Sequence, residues 1–453
     1  MTSPFLWLLA IGPLALVCMG LTPLNIAARP VIVARFARLA ATIAVGAAAV
    51  AIIAVIWHGS WRTGVIGLQG IGFSLYLDVL TAVMLGLVSL IGLVVVIYSR
   101  NYLDGDAGQG RFVKWLCLAL GSVLLLIVSG NLFQFALGWI VTSFSLHRLL
   151  LFYPERPAAI LAARKKFLLS RTGDVCLVAA MILLYRTFGS LEYTVIFSGA
   201  EAMRSSGFTP SAIHAVAIFL VLAALLKSAQ FPTHGWLIEV METPTPVSAL
   251  LHAGVVNAGG FLVLRMADVM LIGGPALHVL AIVGAVSAVI ASLVMLTQTS
   301  IKLALAWSTI AQMGFMLLQC GLGAFPAALL HIVAHSLYKA HAFLSSGSVV
   351  DILRASWSAS PGGKPHPWRM ALSIMLVAGV AGIAAGVAGL TIGNAPSTFA
   401  LTAILAMGVV TLVANGFDER PQPYVVGRTL ANAVGVAALY FALQAAAVRL
   451  TRG

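Results

Sequence analysis

Along most of its length the chain alternates between long apolar runs and short polar interruptions. Fourteen runs stand out: 4–24, 39–57, 78–99, 113–129, 131–151, 167–187, 212–230, 246–270, 276–297, 302–321, 326–349, 370–392, 397–415 and 425–447. At 1.5 Å of rise per residue, a helix of about 20 residues crosses a hydrocarbon core about 30 Å thick. Unpaired backbone in lipid is prohibitively costly, so these runs predict helices and not open strands. The expectation is an all-α polytopic membrane protein of about 14 transmembrane helices. Connections are short, so 1–453 reads as a single integral membrane domain. The stretch 350–369, with DILRASWSASPGGKPHPWR, is rich in Pro, Gly and Ser and reads as a loop.

Composition agrees: 61% of the 453 residues are hydrophobic, 9% are charged, and the mean hydropathy is +1.04. A soluble chain is typically about 25% charged. The net charge of +13 invites a nucleic-acid reading, but its distribution argues against one. With the N-terminus outside, eighteen of the 26 Lys and Arg residues fall in inside gaps and six in outside gaps, while Lys227 and Lys339 lie within spans. This is the positive-inside asymmetry. It puts both termini on the outer side and the 350–369 loop in the cytoplasm, and it predicts no nucleic-acid partner. The first run lacks a basic leading segment and a small-residue cleavage site, so it reads as a helix and not a signal peptide. Cys18, Cys117, Cys176 and Cys320 sit singly within runs, a pattern of neither a disulfide framework nor a metal site.

The polar residues inside the runs carry the chemistry, because an intramembrane ionisable group is by default part of an ion path. Lys227 follows AIHAVAIFLVLAA and precedes Pro232 by five residues. A central lysine costs roughly 2.5–3.5 kcal/mol on insertion scales. A proline breaks the helix locally, and broken helices in transporters gather freed backbone groups around ions. Lysine is also able to exchange a proton when buried. The plain alternative is a lysine snorkelling to the interface. His252, in SALLHAGVVNAGG, is either a proton relay or an interhelical hydrogen-bonding residue. His331, His335 and Lys339 recur every four residues and form one helical stripe. With no third ligand evident, the stripe predicts a proton or cation wire and not a metal site. Lys302 opens its span and could equally anchor at the interface. Asp174, in SRTGD, either pairs locally with Arg171 or takes part in gating.

KSAQFPTHGWLIEVMETPTPVSALLHAGVVNAGGFLVLR (227–265), IKLALAWSTIAQMGFM (301–316) and HSLYKAHAFLSSGSVVD (335–351) resemble, in order, the proton-conducting antiporter-like subunits of complex I, Mrp antiporters and membrane hydrogenases. The resemblance spans most of 113–351. It implies a path through Lys227, His252, Lys302, His335 and Lys339, with His331, Asp174 and Glu239 as further candidates. It also implies two inverted helix repeats, 113–270 with its break near 227–232, and 276–415.

Two departures matter. Ile140 stands in LGWIVTSFSLHRLLLFYPERP where complex I members carry a glutamate, and RMALSIMLVAGVAGIAAGVAGL holds nothing ionisable past Arg369. The sequence ends at Gly453, so the long C-terminal extension of the largest complex I subunit is not expected. With SFSLHRLLLFYPERPAAILAARKKFLLSRTGD (143–174), the pattern is similar to the DabB subunits of DAB-type inorganic carbon accumulation systems. That likeness implies a bacterial inner membrane and a non-enzymatic, H⁺- or Na⁺-conducting subunit with no cofactor of its own. It further implies a soluble DabA-type zinc partner on the cytoplasmic side, hydrating CO2 to bicarbonate. A complex I-like or Mrp-type cation/proton antiporter subunit is the alternative, and a silent membrane anchor a third.

Overall fold

The computed structural model describes residues 4–23 and 29–347, with scattered helical positions between 371 and 435. The expected spans 370–392, 397–415 and 425–447, most of the second repeat 276–415 beyond 347, and the 350–369 loop therefore lie outside the described residues. Two compact units divide the chain: Met1–Gly321 with His331–Gly347, and Leu322–Leu330 with Ser348–Arg452. All the candidate residues named above belong to the first.

A 3-10 segment, Pro4–Ala10, leads into α1 (Ile11–Gly20), and α2 runs from Pro30 to His58. On α2 the small residues Ala37, Ala41, Ala44, Ala48 and Ala51 are buried, while Phe36, Ile43, Val50 and Ile53 face outward. Small-in, large-out is the packing logic of lipid, which offers no hydrophobic drive between helices but lets small residues bring backbones close. Next come α3 (Val79–Tyr102), α4 (Gln109–Ile127), α5 (Leu132–Leu150) and α6 (Pro157–Phe188). Asp78 and Asn131 cap α3 and α5, accepting from the Thr81 and Phe133 amides at 2.8 and 2.9 Å. The chain continues through α7 (Tyr193–Ser206), α8 (Ser211–Lys227) and the short α9 (Gly235–Glu239). A broken span follows, made of α10 (Thr245–Ala253), α11 (Ala258–Arg265) and α12 (Ala267–Ile272). Then come α13 (Ala276–Met295), α14 (Ile301–Gly321) and α15 (Phe325–Ser345).

Seven described helices or helix pairs are long and apolar enough to cross a membrane, and the chain is a polytopic helical membrane protein. Three elements differ from the sequence expectation. Between α2 and α3 lie two short antiparallel ladders, β1 (Trp61–Arg62) with β4 (Tyr76–Leu77) and β2 (Ile66–Leu68) with β3 (Ile71–Phe73). The turn of the second carries positive φ at Gln69 and Gly70, the geometry that matches strand twist. The amphipathic helix α7 falls in a gap between expected spans. Most consequentially, α6 begins at Pro157 and not near 167, taking the basic run Arg164–Lys166 into a helix of 32 residues. Proline suits a first helical position because its missing N–H has no partner there anyway.

Candidate functional site

The site starts where α8 stops. Pro232 has no N–H to offer the Ser228 carbonyl, and the helix ends one residue earlier, at Lys227. The Gln230 side chain supplies the missing donor, its Nε2 reaching the Ser228 oxygen at 2.8 Å. Ala229 turns left-handed, with φ at 52°, and redirects the chain. Lys227 is thereby held at a helix terminus and is only 7% exposed.

Its ammonium approaches the Trp139 carbonyl of α5 at 3.4 Å and lies 4.2 Å from the centre of that indole. Indole is the strongest of the aromatic faces for a cation. The other edge of the indole donates Nε1–H to Asp174 Oδ1 of α6 at 3.0 Å. Asp174 is buried and also pairs with Arg171, 2.8 Å away, whose guanidinium is sandwiched near the Phe144 and Phe167 rings. Trp139 thus stands between the lysine and the nearest carboxylate acting on it. Ile140, where a glutamate was expected by family pattern, is a half-buried apolar neighbour.

A second buried group forms around His252 of α10. Its Nδ1 and the Thr309 hydroxyl are 2.9 Å apart, and its ring stacks on Phe343 at 4.5 Å. Lys339 of α15 donates to the Leu305 carbonyl of α14 at 2.9 Å. The His331 and His335 rings are 6.1 Å apart on the same face. The Nε2 atoms of His252, His331 and His335 are buried without a protein partner, positions open to bridging water.

Buried hydroxyls and an amide lie between the two groups. Ser228 donates to the Val256 carbonyl at 3.2 Å, and the adjacent Asn257 donates to Ser336 at 2.7 Å, next to His335. Lys227 and Asp174 thus meet through Trp139. His252 and Lys339 meet through Thr309 and the Leu305 carbonyl, which accepts from both Thr309 and Lys339. His335 and His331 lie on the Lys339 face of α15. Lys302 does not join these groups: it sits half-buried in the first turn of α14. Glu239 does not either, since it pairs with Lys165 at a partly exposed site.

Sequence reading missed three parts of this arrangement. Ser228, Asn257 and Ser336 are too ordinary as residue types to stand out in an apolar run. Arg265, placed outside by charge counting, is buried and grips Asp78 through two contacts of 2.7 and 3.2 Å, with Tyr76, Tyr193 and Phe261 around it. Lys166, assigned to an inside loop, is 3% exposed and donates to the Ser143 carbonyl and hydroxyl of α5 at 2.7 and 3.0 Å. Its signal was the spacing Lys166, Ser170, Asp174, a polar stripe every fourth residue along the buried face of α6. Among the described residues, no three His, Cys, Asp or Glu side chains gather as a metal site.

Comparison with known proteins places these features. Residues 65–113 match the family model for the N-terminus of chain 5 of NADH-ubiquinone oxidoreductase (complex I). The chain is 47% identical over 355 residues to the probable inorganic carbon transporter subunit DabB2 of Halothiobacillus neapolitanus, covering 78% of this chain and 63% of that one. It is 37% identical to NADH-quinone oxidoreductase subunit L of Escherichia coli, covering 64% of this chain and 47% of the relative. The chain thus spans less than two thirds of the length of these relatives. Its fold overlays on the Mrp complex from Dietzia sp. with a TM-score of 0.67 at 25% identity, over 96% of this chain and 46% of that one. Residues 129–357, just over half of the chain and including both buried groups, match the family model for NADH:quinone oxidoreductase/Mrp antiporter transmembrane proteins, and the chain belongs to that family.

Proposed function

We propose that this chain is the cation-conducting membrane subunit of an inorganic carbon accumulation system. The gradient of H⁺ or Na⁺ that it admits would drive CO2 hydration to bicarbonate in a soluble, zinc-bearing, carbonic-anhydrase-like partner on the cytoplasmic side of a bacterial inner membrane. The observation that carries the reading is the burial of Lys227 at the break after α8 together with the buried His252, His335 and Lys339, the first and last of these joined through Thr309 and the Leu305 carbonyl. Membrane interiors tolerate such groups where ions or protons pass. The likeness to DabB subunits supports the carbon substrate, and Ile140 supports a departure from the complex I arrangement. The energetics suffice: one charge crossing about 150 mV is worth about 3.5 kcal/mol, a ratio on the order of several hundred-fold.

Growth of a carbonic-anhydrase-deficient bacterial host at ambient CO2 tests this, with the chain expressed beside its neighbouring partner gene product. Wild type is expected to rescue growth, and Lys227→Ala, at matched membrane abundance, to abolish rescue. Rescue by both would overturn conduction through Lys227 and leave a scaffold. The likeness to subunit L favours a second reading, a cation/proton antiporter subunit; rescue by neither, together with restored growth of a salt-sensitive host, would establish it.

A further inference from the structure

Lys166 is a buried basic side chain that the reading above leaves without a task. It cannot be a snorkelling anchor, because its terminal amine is turned inward onto Ser143 while its neighbour Lys165 takes the surface and the pair with Glu239. Nor is it held by a carboxylate of its own: both described hydrogen bonds go to one neutral serine. The charges that act on it are Lys227, Arg171 and Asp174, and His147 faces it from α5.

Its location is ordered. Lys227 meets the α5 backbone at Trp139 and Lys166 meets it at Ser143, one turn further along. Four residues of helix set the two contact points about 6 Å apart along the axis, the span of one bridging water. One more turn leads to His147, half-buried against Phe167, whose Nδ1 has no protein partner. Beyond it lie Arg148 and the Lys165–Glu239 pair at the basic ends of α5 and α6.

We propose that Lys166, seated on Ser143, is a second proton-carrying lysine that connects Lys227 to the basic end of α5 and α6. The proposal rests on the conduction reading and names one leg of its path. In the inward step the Lys227 ammonium gives a proton to a bridging water, and that water gives one to a neutral Lys166 amine. Lys166, now an ammonium, holds Ser143 until it releases a proton to water at the His147 end. Each transfer moves one proton and leaves the water unchanged.

Proton uptake measures this directly. The chain, purified with its partner, is placed in liposomes carrying an internal pH dye and driven by a potassium diffusion potential. Lys166→Gln keeps a donor for Ser143 but carries no proton; at least a tenfold loss of flux is expected. Lys166→Arg keeps the charge but does not release it, and the same loss is expected. Lys166→His is expected to restore part of the flux with a pH profile moved toward acid. Flux within twofold of wild type in Lys166→Gln, or full restoration by Lys166→Arg, would overturn the proposal, the latter by showing that charge alone is needed. If Lys166→Gln does not assemble, Lys166→Arg against Lys166→His decides on the same terms; loss of assembly in all three marks the residue as structural and also overturns it. So does a wild-type complex that carries sodium and no protons. Undiminished flux in Lys227→Ala would sink the conduction reading itself, whatever Lys166 does.

Discussion

Two lysines resting on consecutive turns of one helix disfavour each other's charge, so a proton on one opposes a proton on the other. If both were charged and kept the spacing of about 6 Å between their contact points, their repulsion at an effective dielectric near 20 would be on the order of 3 kcal/mol. Asp174 is the negative charge that makes the arrangement tolerable, with Arg171 as its direct partner and Trp139 as its link to Lys227. Asp174→Asn leaves three basic side chains around a neutral amide. The expected outcome is at least a tenfold loss of cation flux and a lowered melting temperature in detergent, read by liposome uptake and scanning fluorimetry. Trp139→Phe keeps a smaller, weaker ring beneath Lys227 and removes the N–H to Asp174, so a loss of a few fold is expected in the same uptake assay. At this scale the sequence was readable where a charge contrasted with its surroundings. Lys227 stood alone in an apolar run, whereas Lys166 was hidden in Arg-Lys-Lys, a cluster that charge counting assigns to a loop. What separates Lys165 from Lys166 is a rotation of about 100° around α6, which sends one to the surface and the other to Ser143.

The break after α8 shows how a carbonyl freed by a proline is given a new donor. Pro232 withholds one donor, Gln230 returns it through its side chain, and Ala229 absorbs the turn with a positive φ. A non-glycine residue there carries about 1 kcal/mol of steric cost. Ala229→Gly relieves that cost and gives most of it back as chain entropy in the unfolded state, so the melting temperature should stay within a few degrees of wild type. Ala229→Val puts a branched Cβ at the same φ and should lower it clearly; scanning fluorimetry of the two side by side checks the sign. The proline and the break it causes were legible from the sequence, and so were most spans, because length and hydropathy report directly on the hydrocarbon core. The early start of α6 was not, since Pro157 reads equally well as the end of a loop. The ladders at 61–77 were not either: Gln69–Gly70 is a turn signal that only pairing partners on both sides make meaningful.

Across the molecule, helices far apart in sequence are fastened by the Asp78–Arg265 contact, whose partners lie 187 residues apart. It ties the start of α3 to the end of α11, and the Arg265 side chain is only 2% exposed. Removing one partner of such a pair strands the other, at a cost of about 3 kcal/mol. Arg265→Met is therefore expected to reduce the yield of monodisperse protein and its melting temperature, measured by size exclusion and fluorimetry, while leaving the buried lysines chemically intact. The small-residue crossing of α13 and α14, where the Gly284 and Gly314 backbones touch, closes the same unit elsewhere. The one-turn offset between Lys227 and Lys166 has an electrical meaning as well. About 6 Å is roughly a fifth of a hydrocarbon core about 30 Å thick, so with α5 along the membrane normal a charge stepping between the two contact points would cross about a fifth of the membrane voltage. At 100 mV that amounts to about 0.5 kcal/mol, little more than a twofold bias on the hop. The transmembrane field would thus push this step only gently, and most of the voltage would be dropped over the rest of the route.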